Sequence, residues 1–92
     1  MKFKLYSVRD NKAELSGQVM MFVNDQVATR TLSPAVNDDT HNYGQFPEDY
    51  DLFCLGDYSD ETGVIEKEKN EEGVGEYKYR KVCNLSELLV GE

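Results

Sequence analysis

The chain predicts an α+β domain: an antiparallel sheet of four to five strands with one main helix packed across one face. Three observations carry this. Apolar and polar residues alternate with period 2 near the start, a capped stretch of 3.6-residue periodicity begins at Asn24, and Leu52-Phe53-Cys54-Leu55 is apolar on both faces and precedes a turn. The 92 residues read as a single domain, because a chain this short buries only about 60 to 65 per cent of its unfolded surface and supports one core.

Phe3, Leu5 and Ser7 alternate with Lys2, Lys4, Tyr6 and Val8, the pattern of a half-buried strand ending near Arg9. The turn-rich segment Asp10 to Gly17 follows as a loop. Val19, Met20, Met21, Phe22 and Val23 form an apolar run too short for a helix and rich in β-branched and aromatic side chains, so a second strand is expected there. Lying antiparallel to the first, it completes a hairpin. Asn24 then offers its side-chain oxygen to the open N–H groups of a helix whose inner face is Ala28, Leu32, Ala35 and Val36. Pro34 removes a donor inside that helix, which predicts a kink or a restart with Ser33 as a new cap.

The polar stretch Asn37 to Gln45 leads to Phe46-Pro47, an extended step, after which Pro47 opens a helical turn. Leu52 to Leu55 reads as a central strand, and Val64-Ile65 as its hairpin partner, with Gly63 supplying a positive φ. Glu68 to Gly75 is a charged, glycine-bearing excursion. Tyr77 to Cys83 alternates again as a last strand, closed by a turn at Leu85, Leu88 and Leu89 that Asn84 or Ser86 caps.

Hydrophobic residues at 39% and aromatic residues at 11% suffice for a folded domain despite a charged fraction of 30%. No apolar run approaches the roughly 18 residues that cross a bilayer, and Met1-Lys2-Phe3-Lys4 leads into alternation instead of a signal-peptide core, so a soluble, unexported protein without membrane contact is expected. Cys54 and Cys83 lie in apolar patterns with no Cys or His at metal spacing, which favours reduced packing residues. The net charge of -8 is unevenly spread. Residues 1–36 carry five Lys/Arg against three Asp/Glu, residues 37–76 two against thirteen, and residues 77–92 three against two. An acidic chain repels the phosphate backbone, so any DNA contact must be confined to a patch.

The best chemical candidate for such a patch is Tyr77-Lys78-Tyr79-Arg80-Lys81, since rings and adjacent cations on a strand hold single-stranded nucleic acid. Lys4, Tyr6 and Arg9 repeat the mixture on the first strand, and Arg30 adds an exposed cation on the helix. The competing reading is an ordinary strand face on which Tyr covers the sheet and the cations blunt an edge. Asp57 to Gly63, with Glu68, faintly resembles a calcium loop. Its glycine falls at position seven instead of six, and a solvated hairpin tip explains it better. His41 reads as a turn residue. With no Gly-rich phosphate loop, paired-His motif or nucleophile elbow, the sequence gives catalysis, cofactors and metals no support.

The order Leu5-Tyr6-Ser7-Val8-Arg9-Asp10, Asn24-Asp25, Val27-Ala28-Thr29-Arg30, Phe46-Pro47-Glu48-Asp49-Tyr50, Leu52-Phe53-Cys54-Leu55-Gly56 and Gly63 resembles the small nonstructural protein of gokushovirus-type microviruses. The resemblance covers about two thirds of the chain, departs from the family pattern at Pro34, and adds nothing beyond Lys67. It implies a role in the phage DNA cycle, in single-stranded genome synthesis and packaging, in the cytoplasm of the bacterial host. The implied partners are single-stranded DNA or, alternatively, the replication initiator or procapsid, met as a protein adaptor without DNA contact. Separately, Val19, Met20, Met21, Phe22 and Val23 are more apolar than one face of a half-exposed strand requires, which points to a homodimer through that run.

Overall fold

The computed structural model describes residues 1–67 and 79–90. Among these residues, six strands form one antiparallel sheet: β1 (Lys2–Asp10), β2 (Leu15–Ser16), β3 (Met20–Phe22), β4 (Tyr50–Ser59), β5 (Ile65–Lys67) and β6 (Arg80–Asn84). They occupy four lanes. β2 and β3 line one edge of β1, β4 runs the full length of its other edge, and β5 and β6 share the far edge of β4. The count exceeds the four to five strands expected by β2, which lies in the segment Asp10 to Gly17 read as a loop. Between β2 and β3 the register against β1 slips by one residue, where the Gly17 N–H still reaches the Val8 carbonyl at 2.8 Å. The Glu68 to Gly75 excursion lies outside the described residues, and so do Tyr77 and Lys78 of the expected last strand.

The helix α1 (Asp25–Val36) starts where the sequence places it, with the Val27 N–H donating to the Asn24 side chain at 2.9 Å. Ala28, Leu32 and Val36 are buried against Tyr6, Val8, Leu52, Cys54 and Leu85, which together make the core. Ala35, expected on the same face, is only half-buried. Of the kink or restart expected at Pro34, the restart at Ser33 does not occur: one helix runs through the proline. It stands in the last turn, and the single bond it forgoes would go to the carbonyl of exposed Arg30, within reach of water. Asn37 then secures the end. Its backbone N–H reaches the Ser33 carbonyl at 3.0 Å, and its amide nitrogen donates to the carbonyls of Ser33 at 2.8 Å and Leu88 at 3.0 Å.

A second short helix, α2 (Asn42–Gln45), lies in the stretch read as merely polar, and 3-10 turns follow at Pro47–Asp49 and Leu85–Leu88. The His41 Nδ1 accepts from the Tyr43 N–H at 3.1 Å and so caps α2, a turn role as expected. Asn84 caps the final turn in a reciprocal capping box with Glu87. Its amide nitrogen also donates to the carbonyls of Glu48 and Tyr50 and to the Asp51 carboxylate.

To the apolar packing of α1 on the sheet one carboxylate adds a directional contact. Asp25, in the first turn, accepts the Tyr6 hydroxyl at 2.6 Å and the Arg80 guanidinium at 2.7 and 3.0 Å. This binds β1, α1 and β6 to one point, and the Asp25 charge also favours the positive end of the helix dipole. The Arg80 hydrogen bonds hold the Asp25 carboxyl below the usual range, with the Tyr6 hydroxyl adding to the effect against partial desolvation.

A bulge in β4 separates two register zones, and Gly56 sits within it opposite Leu5. A Cβ on Gly56 would lie 2.2 Å from the Glu66 carbonyl oxygen, so only glycine lets β5 approach.

Three outcomes follow from these contacts. Gly56→Ala should destabilise by about 1 to 3 kcal/mol in urea denaturation, the usual cost of overpacking. Tyr6→Phe removes one hydrogen bond from a carboxylate still held by Arg80 and should cost about 1 kcal/mol, whereas Asp25→Ala takes this acceptor from both the Tyr6 hydroxyl and the Arg80 guanidinium and should cost about 2 to 3 kcal/mol. Equal losses would mean that Arg80 contributes nothing. Because the folded Asp25 pKa lies below its unfolded value of about 4, its contribution is full above that pH and is lost as pH falls through the lowered value. Denaturation midpoints measured from about pH 6 down to pH 3 should therefore fall less steeply in Asp25→Asn than in the wild type.

Candidate nucleic-acid interface

Antiparallel partners share a face, so the register sorts every strand residue onto one side of the sheet. Tyr6 and Val8 of β1 face α1 together with Leu52 and Cys54 of β4, Met20 and Phe22 of β3, and Arg80 of β6. The opposite face carries Phe3, Leu5, Ser7 and Arg9 from β1, Met21 from β3, Asp51, Phe53 and Tyr58 from β4, Ile65 and Lys67 from β5, and Lys81 from β6. Among the described residues no helix packs on this second face. Phe3, Phe53 and Tyr58 are partly exposed there, and Lys67 and Lys81 are exposed.

The basic and aromatic residues singled out in the sequence divide between these faces. Tyr6 is fully buried, its ring centroid 5.8 Å from that of Phe22, and burial followed by the Asp25 hydrogen bond drives its pKa far up. Its ring belongs to the core and offers no face for stacking. Arg80 is turned to the same side, and its charge is spent on Asp25. Lys4 also faces α1 and pairs with Asp57 at 3.0 Å. Arg30 is exposed on the helix, away from the sheet. Arg9 and Lys81, in contrast, stand on the open face. Tyr79 precedes Arg80 and by alternation takes the side opposite to it, with the Lys67 Nζ 5.5 Å from its ring centroid. Tyr77 and Lys78 lie outside the described residues. β1 and β6 are not neighbours but flank β4, with Tyr6 and Arg80 both opposite Cys54. Tyr6 and Arg80 thus align across the sheet, on its covered side, while Arg9 and Lys81 do not follow them there.

Alternation alone could not tell which phase of β1 the helix would cover, and this is why Phe3, Phe53, Tyr58 and Lys67 escaped notice. The cross-strand pair Phe3–Tyr58 was recoverable only from register. Fewer acids reach the open face than the composition suggests. Among the described residues, the strand-borne carboxylates Asp10, Asp57 and Glu66 fall on the α1 side, and Asp51 on the other. Asp51 is neutralised in place: Asn84 and Asn11 each donate to it at 2.9 Å, and the Lys81 Nζ lies 3.3 Å away. Burial pushes its pKa up, but the two amides and the Lys81 charge outweigh this and leave it low.

Other chemistries find little here. Cys54 is buried and reduced, and burial, with Glu87 and Asp51 nearby, pushes the Cys83 thiol up to about 11, far from a reactive thiolate at neutral pH. Among the described residues no three His, Cys, Asp or Glu side chains are grouped to hold a metal ion, and no helix is long and apolar enough to cross a membrane. The arrangement is a ring-bearing, locally cationic strand surface, suited to stacking against flat, anionic ligands.

A search of curated proteins and of solved structures finds no match. A model of one protein family, described as Phage ORF5 protein, matches residues 3–85. That span runs from the second residue of β1 to the first residue of the last 3-10 turn and takes in both faces of the sheet; the chain belongs to the Phage ORF5 protein family.

Proposed function

We propose that this phage protein binds single-stranded DNA on its open sheet face, as the nonstructural accessory protein of a gokushovirus-type microvirus. In the host cytoplasm it would act between double-stranded replication and single-stranded genome packaging. The observation that carries the proposal is the sorting of side chains by register. Phe3, Phe53, Tyr58 and Tyr79 share the uncovered face with Arg9, Lys67 and Lys81, while most strand acids lie on the other. Rings give sequence-tolerant stacking, and the cations around them track phosphates. A single strand is favoured over a duplex because only unpaired bases expose their flat faces. The site as proposed keeps Arg9, Tyr79 and Lys81 from the sequence reading and leaves Lys4, Tyr6, Arg30 and Arg80 outside; Tyr77 and Lys78 lie beyond the described residues.

The adaptor reading, in which the chain acts on the replication initiator or procapsid without touching DNA, draws on the net charge of -8 and on Asp60 and Glu61 at the exposed β4–β5 tip. A salt titration separates the two. Binding of the wild type to a short single-stranded oligonucleotide should weaken with salt, with a slope of log affinity on log salt of about -0.7 per phosphate neutralised. Phe53→Ala and Tyr58→Ala should each cost about 1 to 3 kcal/mol of binding, and Lys81→Glu should make the slope shallower. Tyr6→Phe, folded, should bind as the wild type does. A wild type without affinity for the oligonucleotide at low salt would leave the adaptor reading standing.

A further inference from the structure

The two outer lanes of the sheet differ in a way that has no bearing on the interior. The lane formed by β5 and β6 carries Glu66, Lys67, Arg80 and Lys81, and charged side chains of this kind keep a sheet edge from recruiting another strand. The lane formed by β2 and β3 has no such guard. From Leu15 to Val23 nine consecutive residues bear no charge, in a chain whose charged fraction is 30%. β3 pairs with β1 on one side, and among the described residues no strand pairs with its other side.

The side chains of this edge also exceed what the core uses. Met20 and Phe22 pack inward, while Met21 is 50% exposed and Val19 and Val23, which flank the strand on either side, are 56% and 42% exposed. The spacing of the exposed three is symmetric about Met21. An antiparallel pairing of two β3 strands centred on Met21 sets Met21 against its copy and Val19 against Val23 of the second copy, apolar on apolar at each position. Any other register that keeps the faces leaves one of these side chains unopposed.

We infer that two copies of this chain join through β3, antiparallel and centred on Met21, into one continuous sheet. A second copy is the occupant that the charge pattern selects. Two molecules of net charge -8 repel over most of their surfaces, and this neutral, self-complementary edge is where they approach without juxtaposing like charges. An antiparallel edge pairing has its two-fold axis perpendicular to the sheet, so both open faces lie on the same side and both α1 helices on the other. On the reading proposed above, the two single-strand tracks would then be contiguous; the dimer itself does not depend on that reading.

Sedimentation equilibrium of the full chain, without nucleic acid, tests the inference. The wild type should be dimeric at tens of micromolar and associate more tightly as salt screens the net charge, the reverse of the salt dependence expected for DNA. Val19→Lys with Met21→Lys should weaken the dimer by at least about tenfold with an unchanged circular dichroism spectrum, while Ile65→Lys on the opposite lane should not. Should the double variant fail to fold, mild oxidation of Met21→Cys decides: it should give more covalent dimer than the wild type or Ile65→Cys. A monomeric wild type, a folded double variant that stays dimeric, or a Met21→Cys chain that cross-links no better than Ile65→Cys would each overturn it.

Discussion

The Asp25 carboxylate joins parts of the chain that local propensity cannot bring together: the first strand through the Tyr6 hydroxyl, the helix through its own first turn, and the last strand through Arg80. Hydrophobic burial is indifferent to small rotations of a helix on a sheet, whereas a two-pronged ion pair with a third hydrogen bond is not. Once Asp25 stands over Tyr6 and Arg80, the face that α1 covers is decided, and so is the face left for other work. The contact holds α1 over the face that register gives to Tyr6, Val8, Leu52 and Cys54, and so leaves the opposite face clear of it.

Much of the architecture could be read from the residues, because the signals concerned are local. Asn24 as a cap, Pro47 opening a turn, Gly63 at φ +73° and the inward face of Ala28, Leu32 and Val36 all express chemistry within a few residues of themselves. The candidate site was less legible. A strand with period 2 has two faces, and Lys4, Tyr6 and Val8 form as plausible an outer row as Phe3, Leu5 and Ser7 until a partner is assigned. Tyrosine sharpens the ambiguity, being apolar enough for a core and polar enough for a surface. Tyr6 takes the core because a carboxylate nineteen positions away receives its hydroxyl. The extra strand was missed for a related reason. A two-residue strand such as Leu15–Ser16 carries no periodicity and exists only through its pairing with Arg9 and Asp10.

Net charge is likewise a poor guide to a surface on which the fold segregates signs. The excess of acids is real, but Asp38, Asp39, Asp60 and Glu61 are exposed in turns, and Asp57 and Glu66 share the covered side of the sheet. Asp51, the strand acid on the open face, is surrounded by two amides and a lysine. A chain can therefore be anionic at long range and still present a neutral to cationic strand surface at contact distance, where short-range stacking prevails over a screened field.

The pairing of β1 with β4 has a kinetic side as well. Lys2 lies opposite Ser59 and Asp10 opposite Tyr50, so the two central lanes of the sheet are joined across most of the described chain. The β1–β3 hairpin, the capped helix and the β4–β5 hairpin are each local and form on short timescales, but none buries the core alone. The core closes only when β1 meets β4, a step that must first meet the entropy of a long loop. Until then both β1 and β4 expose backbone on an unpaired side. The helix that will cover them is already capped between them in sequence, placed to shield their apolar face as soon as the sheet assembles.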